Sequence, residues 1–232
     1  MLTKSKQELD RMRSYYTSDR KVGGIEESIY AIWERGDAFN DSITPSTYVP
    51  EYRHHMVLKL LSLTRDGAEI FSLGCGNGFV EGELASLRRR VRAIDFNEEA
   101  VELTRGKGVD AFTADFYGLV PSDIANADVI YADGFLGHVF DPGEKAGLAL
   151  AKLKSLNPKP GAYLVFSNDA PKDTDVPFAM HERVEDFWFI SKDHLKESLE
   201  SFGLPPAEHY YFPYLRPMSG MRNRTICVAR IP

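Results

Sequence analysis

Three glycines at alternate positions are the first residues in the chain whose placement implies chemistry. Ile70-Phe71-Ser72-Leu73 is an apolar run, and Gly74-Cys75-Gly76-Asn77-Gly78 follows it directly. Glycine serves where a chain turns through positive φ and where backbone must lie against a ligand with no Cβ between them. A strand that ends in such a loop and continues into a helical stretch over 79–87 predicts a ligand lying across the loop. A tight strand-to-helix turn with no ligand is the plain alternative. Cys75 is read as a small residue fitting that turn and not as a nucleophile.

An acid narrows the ligand. Arg92-Ala93-Ile94-Asp95 is a second apolar strand, closing on a carboxylate seventeen residues after Gly78. In doubly wound sheets an acid at that place accepts hydrogen bonds from both ribose hydroxyls of a nucleoside. Its structural alternative is the cap of the helix that follows. Loop and acid together imply a bound nucleoside, held by Gly74, Cys75, Gly76, Asn77, Gly78, Asp95 and the adjoining Phe96.

The elements that must position these residues are legible as texture. From Glu69 onward short apolar runs alternate with amphipathic stretches, the pattern of a parallel sheet covered by helices. Strands are expected over Glu69–Leu73, 91–95, 110–114, 129–132 and 162–168, and helices over 79–87, Glu98–Arg105, 142–156 and 192–202. Two β-rich runs, 209–215 and 224–230, follow as an antiparallel pair at the sheet edge. The chain before them reads differently. Leu2, Leu9 and Met12 sit at helical spacing, as do Ile25, Ile29, Ile32 and Trp33 up to Gly36. A turn-rich loop from Phe39 to Pro50 and a helix over 51–63 complete this part. The expected division is a helical cap or lid over 1–62 and a single compact unit over 63–232.

Taken together, the motifs resemble the class I S-adenosylmethionine-dependent methyltransferases. That family's first motif is an apolar strand ending in a variant of the Leu-Gly-Cys-Gly-Asn-Gly found at 73–78. Dinucleotide enzymes usually carry Gly-x-Gly-x-x-Gly, which Phe79 breaks. The resemblance covers roughly residues 69–232. It implies a Rossmann-like α/β doubly wound sheet, mostly parallel with an antiparallel C-terminal hairpin, and S-adenosyl-L-methionine as cofactor, released as S-adenosyl-L-homocysteine. It further implies that Asp115 meets the adenine amino group, that Phe116 packs near the ring, and that the loop at Asp133 and Gly134 lines the methionine half. Leu156 to Gly161 resembles the family's turn before its fifth strand, with Lys159-Pro160 inserted. One departure is plain: the family commonly has an acid where this chain has Ser72, and that acid helps hold the methionine ammonium.

His138, in the loop after the fourth strand, has an ordinary pKa of about 6.5 and is the candidate general base. Packing of its ring with a structural hydrogen bond is the alternative. Methyl transfer itself mainly needs the acceptor held in line with the methyl group in a site that excludes water. Tyr16, Tyr30, Trp33 and Arg53 are the substrate candidates in the cap, although aromatic stripes at helical spacing are more often core.

Composition bounds the rest. A net charge of −6 over 232 residues gives no general attraction to nucleic acid. Asp133-Gly134-Phe135-Leu136 stands where base-modifying enzymes carry Asn/Asp-Pro-Pro-aromatic. Two distant cysteines exclude a disulfide framework or a cysteine-rich zinc site and suit a reducing cytoplasm. No apolar stretch has the length of a membrane span, and no metal is expected. The expectation is an enzyme that methylates oxygen or nitrogen of a small molecule, as in secondary metabolism. A nicotinamide-dependent oxidoreductase and a non-catalytic cofactor-binding scaffold are the competing readings. Acceptor identity and oligomeric state are not legible in the residues.

Overall fold

Successive side chains of a strand point to opposite faces of its sheet, and Glu69–Leu73 (β1) follows that rule with every residue buried. Ile70 joins an apolar cluster on one face, and Phe71 and Leu73 join the cluster on the other. The strands that follow are Arg90–Asp95 (β2), Asp110–Thr113 (β3), Val129–Asp133 (β4), Tyr163–Asp169 (β5), Pro206–Arg216 (β6) and Gly220–Arg230 (β7). They form one sheet in the order β6-β7-β5-β4-β1-β2-β3. Pairing is parallel from β5 through β3 and antiparallel for β5–β7 and β7–β6. This is the Rossmann-like sheet with a reversed final hairpin that the resemblance implied.

The computed structural model describes residues 6–22, 24–38, 41, 44–184 and 186–232, and for 6–10 and 22 the backbone only. Leu2, Phe39 and Asn40 therefore lie outside the described residues. The longer helices are Lys6–Thr17 (α1), Ile29–Glu34 (α2), Pro50–Ser62 (α3), Phe79–Ser86 (α4), Glu98–Arg105 (α5), Gly147–Ser155 (α6) and Lys192–Ser201 (α7). α3, α4 and α5 cover one face of the sheet: Tyr52, Met56, Leu60, Val80, Leu84 and Val101 pack with Ile70, Val91 and Val129. α6 and α7 cover the other, through Leu150, Leu153, Leu195 and Leu199 against Ile130, Leu164 and Phe166. A third, smaller cluster joins α1 and α2 to α5 through Met12, Tyr16, Ile29, Tyr30, Trp33 and Ala100. It lays the N-terminal helices over the carboxyl ends of β1 and β2.

Two local expectations are corrected, and one further ribbon appears. Ile25 is not on a helix but in a short ribbon, Arg20–Val22 with Ile25–Glu27, and is exposed. Ser28 ends that ribbon by capping α2, its Oγ accepting the Ala31 N–H at 3.0 Å. The stretch 142–146 is a turn: Asp141 Oδ1 accepts the Gly143 and Glu144 N–H groups, so α6 begins only at Gly147. A second ribbon, Phe178–Met180 with Trp188–Ile190, lies between β5 and α7 and carries no strong period-2 signal. Among the described residues, no helix is long and apolar enough to cross a membrane.

Candidate active site

The glycine loop is fastened to the end of β2. Gly74 and Cys75 N–H both donate to the Ile94 carbonyl, at 2.8 and 3.0 Å, and Thr104 Oγ1 donates to the Gly76 carbonyl at 2.9 Å. Gly74, Gly76 and Gly78 have φ of 69, 53 and 67°, in the left-handed region. A Cβ at Gly74 would stand 3.1 Å from Phe135 Cδ2, and one at Gly78 would stand 2.7 Å from Thr104 Cγ2. Backbone conformation favours glycine at all three positions, and close neighbours add to that at Gly74 and Gly78.

Asp95 faces the same space. Its Oδ2 accepts the Gly76 N–H at 3.0 Å and its Oδ1 the Asn97 N–H at 2.9 Å. The cap of α5 is Asn97, whose Oδ1 accepts from Glu99 and Ala100, so Asp95 does not serve as the cap itself. Burial raises the Asp95 pKa to about 6 against the pull of those N–H groups. Burial also pushes the Cys75 thiol well up, which keeps it protonated and unreactive.

A cavity of about 1210 Å³, open mouth included, lies over these strand ends. Asp95, Phe96, Asp115 and Phe116 line one part of it, Asp133, Gly134 and His138 another, and Tyr16, Tyr30 and Trp33 of the cap close over it. An adjoining cleft is lined by the glycine loop, Glu81 and Asp133, with Gly74, Gly76 and Asp133 common to both spaces. Asp115 also shapes its own turn, Oδ1 accepting the Tyr117 N–H at 2.9 Å. Arg53 is the one candidate that lines neither space. Its Nε donates to the Ser46 carbonyl at 2.7 Å, its Nη2 to that of Thr47 at 3.2 Å, and Glu83 stands 3.6 Å away.

Long-range contacts complete the site. Tyr16 Oη and His138 Nε2 share a hydrogen bond of 2.6 Å between the cap and the loop after β4. The Asn77 amide donates to the Tyr30 carbonyl and to Glu34, at 3.0 and 2.7 Å, tying the glycine loop to α2. Ser72 Oγ donates to Glu81 Oε1 at 2.6 Å, and burial raises the Glu81 pKa to about 7. An alternating chain of charges runs from Asp133 through Arg224 and Asp169 to Arg216. Burial opposes ionisation of Asp169, yet Arg216 and Arg224 hold it down to about 2. Sequence reasoning singled out none of Glu81, Asp169, His181 or Arg224 for the site. The absent acid at Ser72 was the only signal for Glu81.

A family model described as a methyltransferase domain matches residues 71–166. A tabtoxin biosynthesis enzyme of Pseudomonas amygdali pv. tabaci is 56% identical over 231 residues, covering 100% of this chain and 92% of that one. The chain belongs to the S-adenosylmethionine-dependent methyltransferases. Two solved structures share the fold of this methyltransferase. A magnesium protoporphyrin IX methyltransferase of Synechocystis PCC 6803, with bound SAM, has 17% identity and a TM-score of 0.65, covering 99% of both chains. A 1,6-didemethyltoxoflavin N1-methyltransferase of Burkholderia thailandensis, with bound S-adenosylhomocysteine, has 21% identity and a TM-score of 0.59, covering 78% of this chain and 76% of that one.

The residues present fit S-adenosylmethionine, the cofactor of this methyltransferase. Asp133 Oδ1 accepts from Tyr52 Oη at 2.9 Å and from Arg224, while Oδ2 is buried with no partner among the described residues. A buried acceptor left open beside the glycine loop suits a polar or cationic ligand group. Among the described residues, no cluster of metal-ligating side chains is present.

Proposed function

We propose that this methyltransferase transfers a methyl group to an oxygen or nitrogen of a small molecule of secondary metabolism. The observation that carries the reading is the Tyr16–His138 hydrogen bond, set at the wall of a cap-covered, aromatic-lined cavity. The secondary-metabolic setting is supported by the name of the 56% identical relative. We place the enzyme in the cytoplasm, in keeping with two buried, unbridged cysteines, and expect neither nucleic acid nor membrane as partner.

In this reading Asp95 receives the ribose hydroxyls, Phe96 and Phe116 flank the adenine, and Asp115 meets its amino group. Gly74, Cys75, Gly76, Asn77 and Gly78 present backbone, while Asp133 and Gly134 line the methionine half. Glu81, held by Ser72, supplies the carboxylate for the methionine ammonium. S-adenosylmethionine, when bound, supplies an activated methyl group on a sulfonium. What the chain must add is placement, dryness and a route for one proton. Burial keeps Tyr16 protonated. A proton leaving the acceptor therefore passes to Tyr16 Oη as the tyrosine's own proton passes to His138 Nε2. Tyr30 and Trp33 exclude water. Residues 1–62 act as the cap, anchored to the sheet by α3, and residues 63–232 as the catalytic body.

The test is to incubate the enzyme with S-adenosylmethionine and a panel of small hydroxyl and amine acceptors, reading S-adenosylhomocysteine by chromatography. Acceptor-dependent release with methylation at oxygen or nitrogen is expected. Methylation confined to carbon or sulfur acceptors, or to macromolecules, refutes the proposal.

A further inference from the structure

His181, 8% exposed, follows the strand Phe178–Met180 and lines the main cavity. Its Nδ1 accepts the backbone N–H of Arg183 and of Val184, each at 2.9 Å. A ring nitrogen that accepts hydrogen bonds carries no proton, so the neutral imidazole bears its proton on Nε2. Burial, and then the Arg216 charge, push the His181 pKa down to about 4, which keeps the ring neutral at ordinary pH. Nε2 is thus a donor. It faces Arg216 Nη1 at 3.5 Å, and a guanidinium nitrogen is also only a donor. The two atoms cannot bond each other.

The rest of the Arg216 fork is committed. Nε donates to Tyr214 Oη at 2.7 Å and Nη2 to Asp169. Among the described residues, Nη1 meets only the Asp41 carbonyl at 3.4 Å and Asp41 Oδ2 at 3.9 Å, besides His181. The Asp41 carboxylate is itself engaged by the Met218 N–H, which Oδ1 accepts at 3.0 Å. Two buried donors, one of them charged, therefore converge on the cavity without a good acceptor among the described residues.

We propose that the methyl acceptor carries a carboxylate, seated between Arg216 Nη1 and His181 Nε2. One anionic oxygen pair satisfies both donors, and hydrogen bonds to a charged partner are about twice as strong as neutral ones. Within the buried chain Arg216 and Arg224 are balanced by Asp169 and Asp133, and Asp41 adds a further negative charge nearby. That surplus disfavours a dianionic phosphate more strongly than a singly charged carboxylate. Phe187, which lines the cavity with its ring centroid 6.0 Å from that of His181, offers an apolar wall for the carbon skeleton. The inference rests on the reading of this cavity as the acceptor site of a small-molecule methyltransferase.

The experiment titrates propionate, its neutral isostere propionamide and inorganic phosphate into the full-length enzyme, with and without S-adenosylhomocysteine. Side-chain 15N resonances of histidine report His181. Propionate should shift His181 Nε2 and bind at least about tenfold more tightly than propionamide, a preference lost in Arg216→Lys and in His181→Gln. Each variant is checked for thermal stability and for unchanged S-adenosylhomocysteine affinity, and if neither folds the wild-type isostere comparison decides. Equal binding of acid and amide, no binding by either, or propionate binding that leaves His181 unmoved overturns the proposal. Preference for phosphate overturns it in favour of a phosphate ester. Failure of S-adenosylhomocysteine to bind would count against the cofactor reading instead, since the fragment titration does not depend on it.

Discussion

Asp95 offers the sharpest test of the cofactor site, through pH. In the proposed reading the ribose hydroxyls donate to the ionised carboxylate, so affinity should follow the ionised fraction of the free enzyme. With burial holding the pKa at about 6, Asp95 is almost fully ionised at pH 8. At pH 5 only about one molecule in eleven is, which weakens binding about tenfold, or about 1.4 kcal/mol. In the ligand-free protein the sign is opposite. Burial favours the neutral acid, so the stability it contributes is present below the unfolded value of 3.8 and is lost as pH rises through about 6. The assay is calorimetric titration of S-adenosylhomocysteine at pH 5, 6, 7 and 8, for the wild type and Asp95→Asn. Glu81, raised to about 7 chiefly by burial, faces the same space and adds its own slope, which both proteins share in the main, since the Asp95 charge is the last of the causes that raise it. The difference between the two curves isolates Asp95. If Asp95→Asn keeps the wild-type slope below pH 7, or binds as tightly at pH 8, the assignment of Asp95 to the ribose is refuted.

Other consequences follow from the same geometry. His138→Ala should lower kcat by roughly two orders of magnitude with cofactor affinity nearly unchanged, and Tyr16→Phe in that background should add little more. A loss below about threefold in steady-state rates would assign His138 a packing role. Glu81→Gln should weaken S-adenosylhomocysteine at least about fivefold while sparing 5′-methylthioadenosine, which lacks the amino acid end. Equal losses for both ligands would place Glu81 away from the ammonium. Gly78→Ala sets a Cβ 2.7 Å from Thr104 Cγ2 at φ +67° and should cost about 1–3 kcal/mol in urea denaturation. Asn77→Ala removes the ties to Tyr30 and Glu34 and should hasten proteolysis within α1 and α2. An unchanged cleavage rate would mean that the apolar cluster alone holds the cap.

The strands, the glycine loop and Asp95 were legible because each is a local pattern. Period-2 burial places Ile70 and Phe71 on opposite faces, and the loop–strand–acid spacing survives any rearrangement of distant segments. Legibility failed where short-range signals competed. Ile25 fits a helical period, but the ribbon ahead of Ser28 claims it. The basic run Arg88-Arg89-Arg90 has the composition of a cationic helix end, yet α4 stops at Ser86, Arg88 turns at φ 62° and Arg89 pairs with Asp66 at 2.9 Å.

By itself, then, the sequence determined the sheet, the glycine loop and acid at its carboxyl end, and the family resemblance, since these depend on residues within a few positions of one another. Only the tertiary structure decided what meets across the cavity. It joined Tyr16 to His138 over 122 positions, set Glu81 beside Ser72 through the turn of a helix, and brought His181 against Arg216 from separate elements. Those pairings arise from how the cap, the second ribbon and the terminal hairpin pack over the strand ends, and no spacing along the chain encodes them.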